Sequence, residues 1–159
     1  MSATARHDPI EIARALLRCP SVTPLEGGAL SLIQNLLEPA GFTCHRLSMR
    51  EPGTPDVENL YARFGTEGPN LCFAGHTDVV PPGDEAAWSH KPFAAEIAGG
   101  ILYGRGAVDM KGSIACFLAA ALDLGEIRFR DAELCCRLRL FQIMEYADES
   151  QCLAEHLSS

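Results

Sequence analysis

Leu71-Cys72-Phe73-Ala74-Gly75 is an apolar run of strand length with turn signals on both sides, the pattern of a strand buried on both faces. Such a strand needs covering layers above and below it, and the flanking sequence supplies helices. Pro9 suits the first turn of a helix, and Ile10, Ile12, Ala13, Leu16 and Leu17 follow as an apolar stripe at helical spacing. Cys19-Pro20-Ser21-Val22-Thr23-Pro24 reads as a turn. A second helix fits Ala29 to Ala40, with Leu30, Ile33, Leu36 and Leu37 on one face and Gly41 as its stop. After Asp109, the run Ile114, Phe117, Leu118, Ala121, Leu122 marks a third. Short strands fit Phe42–Leu47, Asn59–Phe64 and Ile101–Tyr103, the first two separated by the Pro/Gly-rich stretch Glu51–Pro55. The alternation predicts an α/β fold, with a mixed, largely parallel sheet flanked by helices.

At 159 residues, with 47% hydrophobic and 21% charged residues, the chain has the length and balance of one globular domain. Its 21 acidic against 13 basic residues give a net charge of −8, and there is no basic run. That balance argues against a nucleic-acid or anionic-membrane surface. Seven cysteines are an odd number and form no Cys-x-x-Cys pair, so neither a disulfide framework nor a zinc knuckle is expected. Cys72 and Cys116 sit in apolar runs, where a thiol is expected to pack as a small buried hydrophobe. These features predict a reducing, cytoplasmic compartment. The first residues carry no apolar stretch of signal-peptide length, and no segment approaches the ~20 apolar residues of a membrane span.

Two segments carry residues capable of chemistry. In the first, Gly75-His76-Thr77-Asp78-Val79-Val80-Pro81-Pro82-Gly83, His76 and Asp78 are two apart and point to one side of an extended backbone. A metal-bound histidine has its other ring nitrogen held by a carboxylate or carbonyl, and Asp78 stands where it could do this. Taken alone, the triplet also fits a strand-ending histidine with a turn-forming aspartate. In the second segment, Leu102-Tyr103-Gly104-Arg105-Gly106-Ala107-Val108-Asp109-Met110-Lys111-Gly112-Ser113, Asp109 precedes a helix, where an ordinary N-cap aspartate would also sit. A phosphate loop fails on order, because Gly112 separates Lys111 from Ser113. No Gly-x-Ser-x-Gly nucleophile elbow occurs.

The two segments together, with Trp88 and Pro92-Phe93 between them, closely resemble one family. It is that of the dinuclear zinc amidohydrolases of the aminoacylase/carboxypeptidase type, which include acetylornithine deacetylases and succinyl-diaminopimelate desuccinylases. The fuller wording, including Pro81-Pro82-Gly83-Asp84, Trp88, Pro20–Pro24 and Asn59-Leu60-Tyr61-Ala62-Arg63, is most similar to the desuccinylases. The resemblance runs from about Pro9 to about Asp123. It implies a hydrolase that uses two zinc ions per complete site, with cobalt tolerated in one position. His76 would bind one zinc, Asp109 would bridge both, and Asp78 would serve catalysis by orienting His76. Zinc takes imidazole and carboxylate ligands, and a metal pair polarises an amide carbonyl. The implied substrate is a small N-acyl amino acid, with N-succinyl-diaminopimelate first, and the implied pathway is lysine and diaminopimelate biosynthesis. A related deacylase of the acetylornithine or carboxypeptidase type, and a non-catalytic fragment or binding module, are the alternatives.

After Asp123 the wording departs from the family. Family members next have a strand ending in Glu-Glu-Gly, one glutamate acting as general base and its neighbour as ligand. Here a strand fits Leu134–Met144, followed by Glu145-Tyr146-Ala147-Asp148-Glu149-Ser150. Glu145 or the Asp148-Glu149 pair are the candidates to stand in, and an acidic start to a short helix reads equally well. Residues 1–125 are expected to form the N-terminal part of a zinc amidohydrolase catalytic domain. Residues 126–159 are expected to be a divergent tail, as a truncated or frame-shifted reading would leave. The family's dimerising domain is not expected in this chain. Arg105, between two glycines, is expected to be structural.

Overall fold

The structure is a computed structural model that describes residues 7–66, 71–130 and 141–143. Helix α1 spans Pro9–Leu17. Asp8 caps it, its Oδ1 accepting from the Ile10 N–H at 2.8 Å, with Pro9 in the first turn. Helix α2 spans Ala29–Leu37, shorter than expected, and the chain closes behind it as Phe42 N–H returns to the Leu37 carbonyl at 3.2 Å. Strands β1 (Thr43–Met49) and β2 (Val57–Arg63) pair from Thr43 opposite Arg63 to Met49 opposite Val57. Strands β3 (Glu96–Ala98) and β4 (Ile101–Tyr103) form a hairpin. Gly99 and Gly100 both take positive φ there (+58° and +79°), as a two-residue turn matching the strand twist requires. Helix α3 spans Gly112–Arg130, and β5, Phe141–Ile143, pairs with β2 on the side away from β1.

One core joins these elements. Ile12, Ala13 and Leu16 of α1, Leu30, Ile33 and Leu37 of α2, and Ile114, Leu118 and Leu122 of α3 meet Leu60 and Ala62 of β2. The helical stripes read from the sequence supply most of it, although Ile10 lies at the solvent edge. Among the described residues no helix is long and apolar enough to cross a membrane.

The ladders among the described residues are antiparallel. For β1–β2 and β3–β4 the reason is local, since the connections are short reversals and a chain that reverses at once lies antiparallel to itself; β2–β5 joins distant strands. Among the described residues the parallel component is a single bridge between Val22 and Val79. The strand expected at Leu71–Gly75 belongs to neither sheet: among the described residues nothing pairs with it in a ladder, and Leu71 is 55% exposed. Only Phe73 turns inward appreciably, stacking on Phe117 of α3 with ring centroids 4.3 Å apart. Burial on both faces depends on neighbouring strands, and β1, β2 and β5 pair with one another instead. Cys72 and Cys116 are exposed, contrary to the packing expected of thiols in apolar runs, because each lies on the outward side of its element. Of the strand expected over Leu134–Met144, Phe141–Ile143 is seen as β5. Glu145, Asp148 and Glu149 lie outside the described residues.

Cys44 on β1 is partly covered, and burial, then the charge of Glu38, push its thiol from the ordinary 9.0 up to about 11. The raised pKa means that Cys44 favours the folded state below pH 9, and that this contribution is lost as pH rises through about 11. Alkylation requires the thiolate, so labelling of Cys44 at pH ~8 should be roughly 100-fold slower than for a thiol of ordinary pKa. Mass-spectrometric labelling with iodoacetamide checks this, and labelling as fast as a free cysteine would contradict it.

Candidate metal centre

His76 lies at the end of the extended segment that follows Leu71, and Asp109 lies in the turn that leads into α3. That turn, Ala107–Lys111, closes by a hydrogen bond from Lys111 N–H to the Gly106 carbonyl at 2.9 Å. Asp109 itself is extended (φ −128°, ψ 97°) and is followed by a cis peptide bond to Met110. Its Oδ1 faces His76 Nε2 at 3.1 Å. The two side chains singled out in separate motifs are therefore brought together.

Asp78 also stands beside His76. His76 Nδ1 is 3.1 Å from the main-chain oxygen of Asp78 and 3.2 Å from its Oδ1. Asp78 is 19% exposed and His76 35%, whereas Asp109 is 85% exposed and projects into the open cleft. The cleft has a volume of about 360 Å³ and is walled by Thr23, Val80, Arg105 and Val108 besides these three residues.

The ring of His76 carries a conflict that a cation resolves. Both nitrogens face acceptors, Nδ1 toward Asp78 and Nε2 toward Asp109, but a neutral imidazole has one N–H. A divalent cation between Nε2 and Asp109 Oδ1 removes the conflict. The separation suits the cation: with bonds of ~2.05 Å to each atom, a gap of 3.1 Å subtends an angle of about 98° at the metal, near the tetrahedral range. A carbonyl and carboxylate behind Nδ1 are the usual support of a zinc-bound histidine. An imidazole nitrogen and a carboxylate oxygen are donors of the kind zinc takes. Among the described residues these are two donors of a metal site, and no group of three or more His, Cys, Asp or Glu side chains that could hold a metal ion is found.

Arg105 acts on the wall of the cleft. Its guanidinium lies 4.9 Å above the Trp88 ring, and its backbone N–H donates to the Pro92 carbonyl at 2.7 Å. Trp88 Nε1 donates to the Pro82 carbonyl at 3.0 Å, so the Pro81–Phe93 loop is pinned against β4 and its exit. Thr23, which the motif reading left without a role, also reaches the site: its Oγ1 donates to Asp78 Oδ2 at 2.6 Å. The signal was present in Pro20–Pro24, but contact across 55 positions is not visible in sequence spacing.

Comparison with known proteins shows what the chain is similar to. Residues 72–134 match peptidase family M20/M25/M40. The chain is 64% identical over 123 residues to a succinyl-diaminopimelate desuccinylase of Rhodopseudomonas palustris (strain HaA2), covering 77% of this chain and 31% of that protein. It is 66% identical over 116 residues to one of Methylorubrum extorquens, covering 73% and 30%. The chain thus spans about a third of the length of the curated relatives it matches. Among solved structures, an M20 family metallo-carboxypeptidase from Sulfolobus solfataricus shares the fold with a TM-score of 0.70 at 20% identity, covering 86% of this chain and 30% of that one. Human carnosine dipeptidase 1 shares it with a TM-score of 0.69 at 20% identity, covering 94% and 34%.

The turn that carries Asp109 depends on Gly106, at φ +85°, where an added Cβ would meet Val79 Cγ1 at 2.6 Å. Gly106→Ala should cost about 1–3 kcal/mol in backbone strain, with a steric clash added to it. Gly83→Ala, at φ +75° with nothing within 4 Å of the new Cβ, carries the strain alone. In urea melts Gly106→Ala should have the lower midpoint, and equal midpoints would contradict this account of the turn.

Proposed function

We propose that this chain, whose residues 72–134 match peptidase family M20/M25/M40, carries the first metal-binding segments of a metal-dependent amide hydrolase that releases succinate from N-succinyl-diaminopimelate. The observation that carries this reading is the 3.1 Å approach of His76 Nε2 to Asp109 Oδ1, with Nδ1 held from behind by Asp78. The identity to proteins named as succinyl-diaminopimelate desuccinylases supports the substrate.

In this reading His76 and Asp109 would help to hold a pair of zinc ions, with cobalt acceptable in one position. When bound, the metal pair supplies Lewis acidity toward the amide carbonyl and toward water. The chain's own residues do the rest of what falls to them here. Asp78 keeps the proton of His76 on Nδ1, so that Nε2 offers its lone pair. Asp109, open to the cleft, offers both carboxylate oxygens. Arg105 and Trp88 keep the Pro81–Phe93 loop clear of the opening. The general base and the remaining ligands come from outside residues 7–125, and Glu145 and Glu149 are the nearest candidates in sequence. The fold of the whole catalytic domain is α/β, with a mixed, largely parallel sheet flanked by helices. Residues 1–125 form the N-terminal part of the catalytic domain and 126–159 a divergent tail. The compartment is the cytoplasm, the substrate a small N-acyl amino acid, and the whole enzyme a homodimer.

One observation favours a second reading, a non-catalytic binding domain: His76 and Asp109 form no complete metal cluster among the described residues. Two experiments separate the readings. The 159-residue chain should hold zinc weakly and release no measurable succinate, since loss of the general base alone removes ~10²–10⁴-fold of rate. Two tightly held zinc ions with turnover would overturn this and make Glu145 or Glu149 the base. A chimaera in which residues 1–123 replace the matching region of the Rhodopseudomonas palustris relative should hydrolyse N-succinyl-diaminopimelate. His76→Ala in that chimaera should lose at least about 100-fold in kcat/KM together with zinc content. A folded, zinc-loaded chimaera that hydrolyses N-acetylornithine instead would favour the related deacylase, and one that hydrolyses neither would favour the binding domain.

A further inference from the structure

The Cys19–Pro24 turn is held against the metal-binding segments by contacts shielded from water. Lys111, fully buried, donates from Nζ to the Cys19 carbonyl at 2.8 Å. Ser21 Oγ, also buried, donates to the Thr77 carbonyl at 2.7 Å. Val79 N–H donates to the Ser21 carbonyl at 2.8 Å, and Thr23 N–H donates to the Val79 carbonyl at 3.3 Å. This register, a parallel bridge of Val22 on Val79, brings Thr23 near enough for its hydroxyl to reach Asp78 Oδ2 at 2.6 Å. An O–H donor on a carboxylate at that distance makes a charge-assisted bond, stronger than a neutral one.

The Asp78 carboxylate is planar, so fixing one oxygen fixes the aim of the other. Its Oδ1 is the atom 3.2 Å from His76 Nδ1. We propose that Thr23 is a positioning residue of the metal centre: its hydroxyl, by holding Asp78 Oδ2, keeps Oδ1 beside His76 Nδ1, where it joins the Asp78 main-chain oxygen that Nδ1 faces at 3.1 Å, and so leaves Nε2 free to bind the cation shared with Asp109. The proposal rests on the reading of His76 as a metal ligand. Removing an outer-shell partner of this kind costs a metal site about 10- to 100-fold in affinity. Thr23 is exposed, so its contribution lies in direction rather than in burial.

Two substitutions test this in the 159-residue chain. Thr23→Val keeps the shape and puts a methyl in place of the hydroxyl, whereas Thr23→Ser keeps the donor. The first measurement needs no metal. Long-range proton–nitrogen spectra of the His76 ring report which nitrogen carries the proton. The wild type and Thr23→Ser should be mainly protonated on Nδ1, and Thr23→Val should shift toward Nε2. The second measurement is zinc affinity by competition with a chromophoric chelator. Thr23→Val should bind about 10- to 100-fold more weakly, and Thr23→Ser should recover most of the loss. An unchanged tautomer in Thr23→Val overturns the proposal. So does an unchanged zinc affinity in a chain whose His76 signals respond to zinc. Wild-type His76 signals that ignore zinc would instead count against the metal reading, and the tautomer alone would then decide the role of Thr23.

Discussion

The arrangement of the site depends on the hydrogen bonds that join residues 19–23 to residues 77–79. Val79 N–H to the Ser21 carbonyl and Ser21 Oγ to the Thr77 carbonyl fix the segment carrying His76 and Asp78 against the chain leaving α1. Ser21 and Thr77 are fully buried, and unmet donors or acceptors there would be costly, so this register is strongly specified. Lys111 adds a tie from the opposite side, between the turn carrying Asp109 and the Cys19 carbonyl. The core formed by α1, α2, α3 and β2 supplies the rigid body, and these contacts transmit its position to the cleft.

On that support, the electrostatics are simple. Both ring nitrogens of His76 face acceptors, and a cation shared with one carboxylate suits that arrangement. The two carboxylates differ in setting: Asp78 is mostly covered and bonded to Thr23, whereas Asp109 is open to the cleft. The covered one is suited to holding a proton on the ring, the open one to taking up an incoming ion. Two motifs far apart in the sequence meet at this pair of residues.

Much of this was legible in the residues. Stripes at helical spacing located all three helices, because a helix turns one face to the core whatever covers it. His76, Asp78 and Asp109 stood out because their motifs are long and specific. Burial of Leu71–Gly75 was not legible in the same way, since a central strand is defined by its neighbours and not by its own apolar residues. Thr23 was missed for a related reason: its partner is distant in sequence, and a threonine in a turn has many ordinary explanations. Cys72 and Cys116 show that an apolar run does not tell which of its members face outward.

The central claim, that His76 and Asp109 share a metal ion, is tested most directly by X-ray absorption at the zinc edge on the chain loaded with zinc. The account predicts a nearest shell of nitrogen and oxygen at ~2.0–2.1 Å, with the outer-shell pattern of one imidazole that disappears in His76→Ala. A shell of sulfur at ~2.3 Å, locating the metal on thiols such as the exposed Cys72 or Cys116, would contradict it.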